Sequence, residues 1–321
     1  MTAFDLLKSR TSTLDILNHK DHADTRHGVT DGGFHKDVDG DAWYVKHHAN
    51  PDHAYTEHVA NQLYRAAGHN APHSMILHDE HKNPVYFSKK IEGFHTIKEH
   101  WEATKDPARY NYDGDFQHWN HAPEGQAEKH FKGLAADYLV HATDMHTSNV
   151  GFTGHGTNAA HTRIDNGGAF HLSGFGRDKW EDSLNHGLNH YVSAQHAEAL
   201  SRVAGDRDQH EVRAELTSPA ALRPQVKKLA QIRQAHGGWE GFVEKHAAGA
   251  PDHLKATLVK HLNERHERLL QHVTGVRDWT KGKEAEAPPA PAKETTPPRR
   301  GTESIKASND RWIDKFNADH P

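Results

Sequence analysis

The first ninety residues alternate between two hydrophobic periods. Residues 1–27 read as a leader with short helical patches at 3–7 and 13–18. From Thr30 the pattern becomes that of strands: a turn at Asp31-Gly32-Gly33, a strand from Phe34, a second turn over 37–41, and a strand over 42–47. Alternation along that last strand puts Lys46 on the same face as Tyr44. Pro51 and Asp52 then open a helix in which Tyr55, Val59 and Leu63 recur every four residues. Ala60, Tyr64 and Ala67 widen the stripe, and Gly68 ends it. Strands over 74–77 and 84–88, joined by a polar turn at 79–83, complete the predicted order strand, strand, helix, strand, strand.

Helical periodicity dominates the rest of the chain. Helices are predicted over 127–143, 194–204, 219–236, 238–247 and 251–274, with two short strands at 150–152 and 163–164. Strands gathered at one end and helices at the other predict an α+β fold. Trp101, Tyr110, Tyr112, Phe116 and Trp119 are expected to pack an insertion between the two parts. Residues 283–302 are rich in Pro, Glu and Ala and lack aromatic side chains, which predicts an extended or disordered linker. A short docking segment, 303–321, follows it, with a helix over 308–316.

Composition narrows the function classes. The 321 residues carry 39 Lys and Arg against 44 Asp and Glu, a net charge of −5, which gives no basic field for nucleic acid. There is no cysteine, so neither a disulfide framework nor a cysteine nucleophile is possible. No apolar run reaches the length of a signal peptide core or a membrane span, and a cytoplasmic location is expected. The 33 histidines are scattered without a second ligand set at a repeated spacing, so they are expected on solvated faces rather than around a metal. They should turn the net charge positive below about pH 6.

The chemistry concentrates in Asp137-Tyr-Leu-Val-His-Ala-Thr-Asp144-Met-His146-Thr-Ser-Asn149-Val-Gly151, followed by Arg163-Ile-Asp165-Asn-Gly167-Gly168. Phosphoryl transfer needs carboxylate and amide oxygens to hold Mg²⁺ against the phosphates, and a further carboxylate to orient the attacking hydroxyl. Asp144, Asn149 and Asp165 suit those roles. Asp144 and Asn149 each also suit a helix-ending Asx turn; the joint spacing favours the site. The Asp-to-Asn separation of five is that of a protein-kinase catalytic loop, and Asp-x-Gly after it suits a metal-holding loop. Strands on either side of the intervening turn would bring Asn149 and Asp165 side by side. Upstream, Gly32 and Gly33 could form a phosphate-covering turn, Lys46 the strand lysine for the phosphates, and Glu57 the helix acid that positions it. His146 is assigned to supporting the catalytic loop by bonding its backbone around Asp144. The stretch Tyr86-Phe87-Ser88-Lys89 falls where the lobes would join and meet an adenine.

The succession GGF, WYVK, EHVANQLYRAAG, DYLVHATDMHTSNVGF and RIDNGGAF resembles the HipA-like and phosphatidylinositol-kinase-like branch of the kinase superfamily, which includes phage-encoded forms. The resemblance covers roughly residues 28–175. It implies a two-lobed protein-kinase-like fold, with a small antiparallel β-rich N-lobe bearing one helix (28–93) and a larger helical C-lobe (94–282). It further implies ATP and Mg²⁺ as cofactors and transfer to a protein Ser or Thr, with Asp144, His146 and Asn149 catalytic and Asn149 and Asp165 holding metal. Met145 stands where the family's D-R-H element carries Arg, and Gly32-Gly33 is shorter than the family's glycine loop. A catalytically weak form, serving as a phage structural or host-interaction protein, is the alternative.

Overall fold

The computed structural model describes residues 31–37, 39–104, 118–119, 121–142, 145–171, 187–192 and 208–275. The predicted leader, the helix at 194–204, the linker, the docking segment and the aromatics Tyr110, Tyr112 and Phe116 lie outside them. The chain divides into Met1–Lys283 and Glu284–Pro321, and every described residue belongs to the first unit.

The small lobe is a four-stranded antiparallel sheet, β1 (Asp31–Lys36), β2 (Ala42–His47), β3 (Ser74–His78) and β4 (Pro84–Lys89), in the spatial order β1-β2-β4-β3. Its single helix, α1 (Asp52–Ala66), connects β2 to β3. Alternation sorts the strand side chains as expected. Trp43, Val45, Met75, Val85 and Phe87 form one apolar cluster. Lys46 and Tyr86, opposite each other in register, share a face with Tyr44.

One prediction fails at this sheet. Asp31-Gly32-Gly33 is no turn but the start of β1, with Gly32 opposite Lys46 and Gly33 opposite Val45. Glycine lacks strand propensity, but the ladder to β2 decides the backbone here. The hairpin turn runs from Asp37 to Asp41, at the end of β2 away from Lys46. Asp37 builds it: Oδ1 accepts from Asp39 N at 3.0 Å and Asp41 N at 2.9 Å, and Oδ2 accepts from Trp43 Nε1 at 2.8 Å.

The second lobe begins with a three-stranded sheet, β5 (Phe94–Thr96), β6 (Val150–Thr153) and β7 (Ala160–Arg163), in that order. Helix α2 (Ile97–Thr104) packs on it, and Ile97, Trp119, Val150, Phe152 and Ala159 form the shared core. Trp101 and Trp119 are buried, as packing residues should be. The helices are α3 (Gln126–Phe131), α4 (Leu134–Val140), α5 (Gln209–Leu216), α6 (Pro219–Ala235), α7 (Trp239–His246) and α8 (Asp252–Val273). The last three match their predicted spans to within a residue or two. Strand β5, α2 and α5 were not foreseen. Ser218 caps α6 through Ala221 N, and Asp208 caps α5 through His210 N and Glu211 N. Leu254, Leu258, Leu262 and Leu269 line the buried face of α8 and join α1, α4, α6 and α7 in the main core. A small β-rich lobe with one helix beside a larger helical lobe is the two-lobed kinase-like arrangement expected.

The predicted helix 127–143 is two helices, broken at Lys132-Gly133. At the break Arg163 Nη2 of β7 donates to the His130 carbonyl, a helix acceptor, and a Cβ on Gly133 would collide with that guanidinium. Only a glycine leaves room for that guanidinium beside the chain.

The histidines also depart from expectation. His35, His118, His130, His141, His161, His261, His266 and His272 are buried rather than solvated. They serve as flat packing groups with polar edges, as where His118 Nδ1 meets Thr147 Oγ1 at 2.6 Å and His272 Nε2 meets the Thr217 carbonyl at 2.7 Å. Among the described residues, no group of three or more His, Cys, Asp or Glu is placed to hold a metal ion. No described helix is long and apolar enough to cross a membrane.

Candidate nucleotide and metal site

Three charged side chains from distant parts of the sequence meet between the lobes. Lys46 Nζ lies 2.7 Å from Glu57 Oε1 and 2.7 Å from Asp165 Oδ1. The other Glu57 oxygen is 3.1 Å from His48 Nε2. Lys46 and Glu57 are almost fully buried, at 5% and 1% side-chain exposure, whereas Asp165 is 48% exposed. The cluster is therefore closed on the α1 side and open at Asp165. Burial alone would lower the Lys46 ammonium, but the two carboxylates outweigh it and hold the amine protonated, above its ordinary value. Partial burial works to raise Asp165, yet the facing ammonium prevails and keeps its carboxyl below the usual range.

Local backbone sets Asp165. It has φ 50°, in the left-handed region, and Gly167 N approaches its Oδ1 at 3.4 Å. An aspartate tolerates this conformation because its short carboxylate bonds nearby amides. Asn149 is brought alongside by the backbone: Ile164 N donates to the Asn149 carbonyl at 2.9 Å, continuing the β6–β7 ladder by one step. Asn149 N in turn donates to the His146 carbonyl at 2.8 Å, and Ser148 N donates to His146 Nδ1 at 3.2 Å. His146 thus shapes the turn that delivers Asn149, and its side chain is exposed. Asp144 lies outside the described residues.

Of the predicted site residues, Lys46, Glu57 and Asp165 meet directly, and Asn149 and His146 stand on the adjoining loop. Gly32 is beside Lys46 in register, and Gly33 is the next position along β1, with bare strand backbone rather than a turn. A carboxylate and a carboxamide on neighbouring loops are hard oxygen donors of the kind Mg²⁺ takes, and the open edge at Asp165 suits a metal that keeps waters and phosphate oxygens.

Sequence reasoning missed a second cluster directly behind the first. Arg163 Nε donates to Asp137 Oδ1 at 2.8 Å and Nη2 to Asp137 Oδ2 at 2.9 Å, a bidentate pair. Tyr64 OH adds a third bond to Asp137 Oδ1 at 2.8 Å, and Nη2 also reaches the His130 carbonyl. Asp137 and Arg163 are buried. Burial raises the Asp137 carboxyl despite the guanidinium beside it; burial would lower the guanidinium, but Asp137 outweighs this and holds it firmly protonated. Arg163 N also donates to the Asn70 carbonyl at 3.0 Å, which ties β7 to the chain just after α1. Behind the turn at His141, which has φ 54°, Arg265 Nη1 donates to the Tyr138 carbonyl at 2.8 Å and to Tyr191 OH at 3.0 Å. The end of α4 that leads toward Asp144 is thereby fixed to α8. The Asp137 and Arg163 pairing had no local signal, since 26 residues separate them.

The architecture is a two-lobed, kinase-like one. No family model matches the sequence, and no curated protein does. Among solved structures, the chain is similar to a Helicobacter pylori proinflammatory kinase, CtkA, at 12% identity and TM-score 0.49, over 80% of this chain and 95% of that one. It is also similar to HipA of a Shewanella oneidensis toxin–antitoxin system, solved with HipB and operator DNA, at 12% identity and TM-score 0.40. That likeness covers 74% of this chain and 60% of HipA. Likenesses this loose say nothing of activity, and the two-lobed arrangement stands on the topology described above.

Proposed function

We propose that the chain is an ATP- and Mg²⁺-dependent phosphotransferase acting on a protein Ser or Thr hydroxyl. The observation that carries the reading is Lys46 Nζ held at 2.7 Å from both Glu57 and Asp165, with the Asp165 side exposed. A lysine pinned by a helix acid can give its remaining hydrogen bond capacity to nucleotide phosphates. Asn149 and Asp165 would hold Mg²⁺, which supplies charge neutralisation on the phosphates when bound. Asp144 would orient the attacking hydroxyl. His146 keeps the turn 146–149 in shape. The role of Gly32 and Gly33 becomes that of side-chain-free strand next to the lysine, where phosphate can approach the backbone closely.

A second reading is a nucleotide-binding platform with little transfer. It is favoured by β1 running straight through Gly32-Gly33, which leaves no glycine turn at the Lys46 end of the described sheet. Met145 in place of the family's Arg points the same way.

Calorimetric and thermal-shift titration with ATP, with and without Mg²⁺, tests the site. Mg²⁺-dependent stabilisation by ATP is expected in the native protein and should vanish in Asp165→Asn. Equal ATP affinity in the two proteins in Mg²⁺ would defeat the metal assignment. Phosphate gained by a Ser- or Thr-containing acceptor separates transferase from platform.

A further inference from the structure

Helix α1 carries a polar residue one turn beyond Glu57 that no role assigned so far uses. Asn61 is fully buried. Its Oδ1 accepts from Asn166 Nδ2 at 2.8 Å, and its Nδ2 donates to Tyr86 OH. Tyr86 lies across from Lys46 in the β2–β4 register, with its ring centroid 5.7 Å from the ammonium. A directed chain of donors therefore runs from the loop residue next to Asp165, through the helix that holds Glu57, to the strand beside Lys46. Asn166 is 2% exposed, and its Oδ1 finds no partner. The bond to Asn61 is then the one side-chain hydrogen bond that fixes this carboxamide among the described residues.

Such a link has a consequence for Asp165. The aspartate's own backbone sits at φ 50°, and its half-exposed carboxylate meets Lys46 through Oδ1, so the salt bridge holds the carboxylate but is an incomplete constraint on where the loop lies. The neighbouring Asn166, buried and hydrogen-bonded, is a stronger one. We infer that Asn61 is a positioning residue: through Asn166 it holds the 164–167 loop so that Asp165 faces Lys46 before any ligand arrives. Tyr86 OH holds the Asn61 amide at its nitrogen end while Asn166 holds its oxygen end, so the carboxamide is gripped at both. This rests on the proposed metal-nucleotide site and adds the residues that organise it in advance.

The test pairs two readouts on Asn61→Ala and on Tyr86→Phe, which removes one oxygen and retains the ring packing. Amide hydrogen exchange of residues 164–169 without nucleotide reads the loop directly. The Mg²⁺ concentration that half-saturates ATP binding reads the site. In Asn61→Ala, which removes the bonds to both Asn166 and Tyr86, loop protection should fall and half-saturating Mg²⁺ should rise roughly tenfold, the effect of losing the one bond that reaches the loop, while ATP binding in excess chelator stays unchanged. Tyr86→Phe should shift both in the same direction by less, and it decides the matter if Asn61→Ala does not fold. Unchanged loop protection overturns the inference. So does lost protection with an unaltered Mg²⁺ requirement, since that describes a merely structural bond. Lost protection in a protein whose native form binds no Mg²⁺-nucleotide would leave the anchor standing and defeat the functional reading instead.

Discussion

Two charge clusters link the same helix to the same short segment, and they differ in one respect. At the front, Lys46, Glu57 and Asp165 join α1 to residue 165; at the back, Asp137 and Arg163 meet Tyr64 of α1 two residues earlier. The back cluster is sealed and every charge has a geometrically matched partner. The front cluster has an open edge at Asp165, with 48% of the side chain exposed. A sealed cluster has nothing left to offer a ligand, so it serves structure. An open one retains oxygens that can exchange partners, which is what binding chemistry requires.

That contrast can be broken most forcefully from behind. Arg163→Met leaves Asp137 buried without its counter-ion and should cost about 3–5 kcal/mol, read as a lowered urea midpoint. Gly133→Ala should cost about 1–3 kcal/mol, because the added methyl meets a guanidinium that cannot withdraw from its bidentate pair. His69 offers a pH test of the same region. Burial, with help from Arg163, lowers its imidazole to about 3. The unfolded chain takes up this proton near pH 6.5 and the folded one does not until about pH 3, so stability must fall as pH drops through that window. Replacing His69 with Gln should flatten that part of the stability profile. Smallest in stability is the front change: Asp165→Asn, at a half-exposed carboxylate, should shift unfolding by less than about 1 kcal/mol while Mg²⁺-dependent ATP binding disappears. A large loss of stability from Asp165→Asn, or a selective loss of nucleotide from Arg163→Met, would erase the distinction between the two clusters.

The sequence made the small lobe readable because its signals are local. Period-two alternation placed β2 at its observed ends, and the four-residue recurrence of Tyr55, Val59 and Leu63 placed α1. Lys46, Glu57 and Asp165 were legible as a set because each occupies a characteristic place in a strand, a helix or a loop. What escaped depends on distant partners. Nothing near Gly133 announces that Arg163 will fill the space beside it, so 127–143 reads as one helix. Gly32-Gly33 reads as a turn until β2 supplies the ladder that extends it. Asn61 looks like an ordinary polar position in a helix, since its partners, Tyr86 and Asn166, lie 25 and 105 residues away. The histidines defeat composition-based reasoning because a neutral imidazole with one hydrogen bond is a serviceable core residue.

Glu57, Asn61 and Tyr64 stand at positions i, i+4 and i+7 of α1, so they fall on one stripe of the helix. Each grips a different piece of the molecule: Lys46 on β2, Asn166 on the loop, and Asp137 on α4. Three grips on one rigid rod cannot be released singly by turning or sliding it, because a rotation of one residue misaligns all of them together. Two of the three, Asn166 and Asp137, belong to the second lobe, so any motion of α1 relative to that lobe has to open both bonds together.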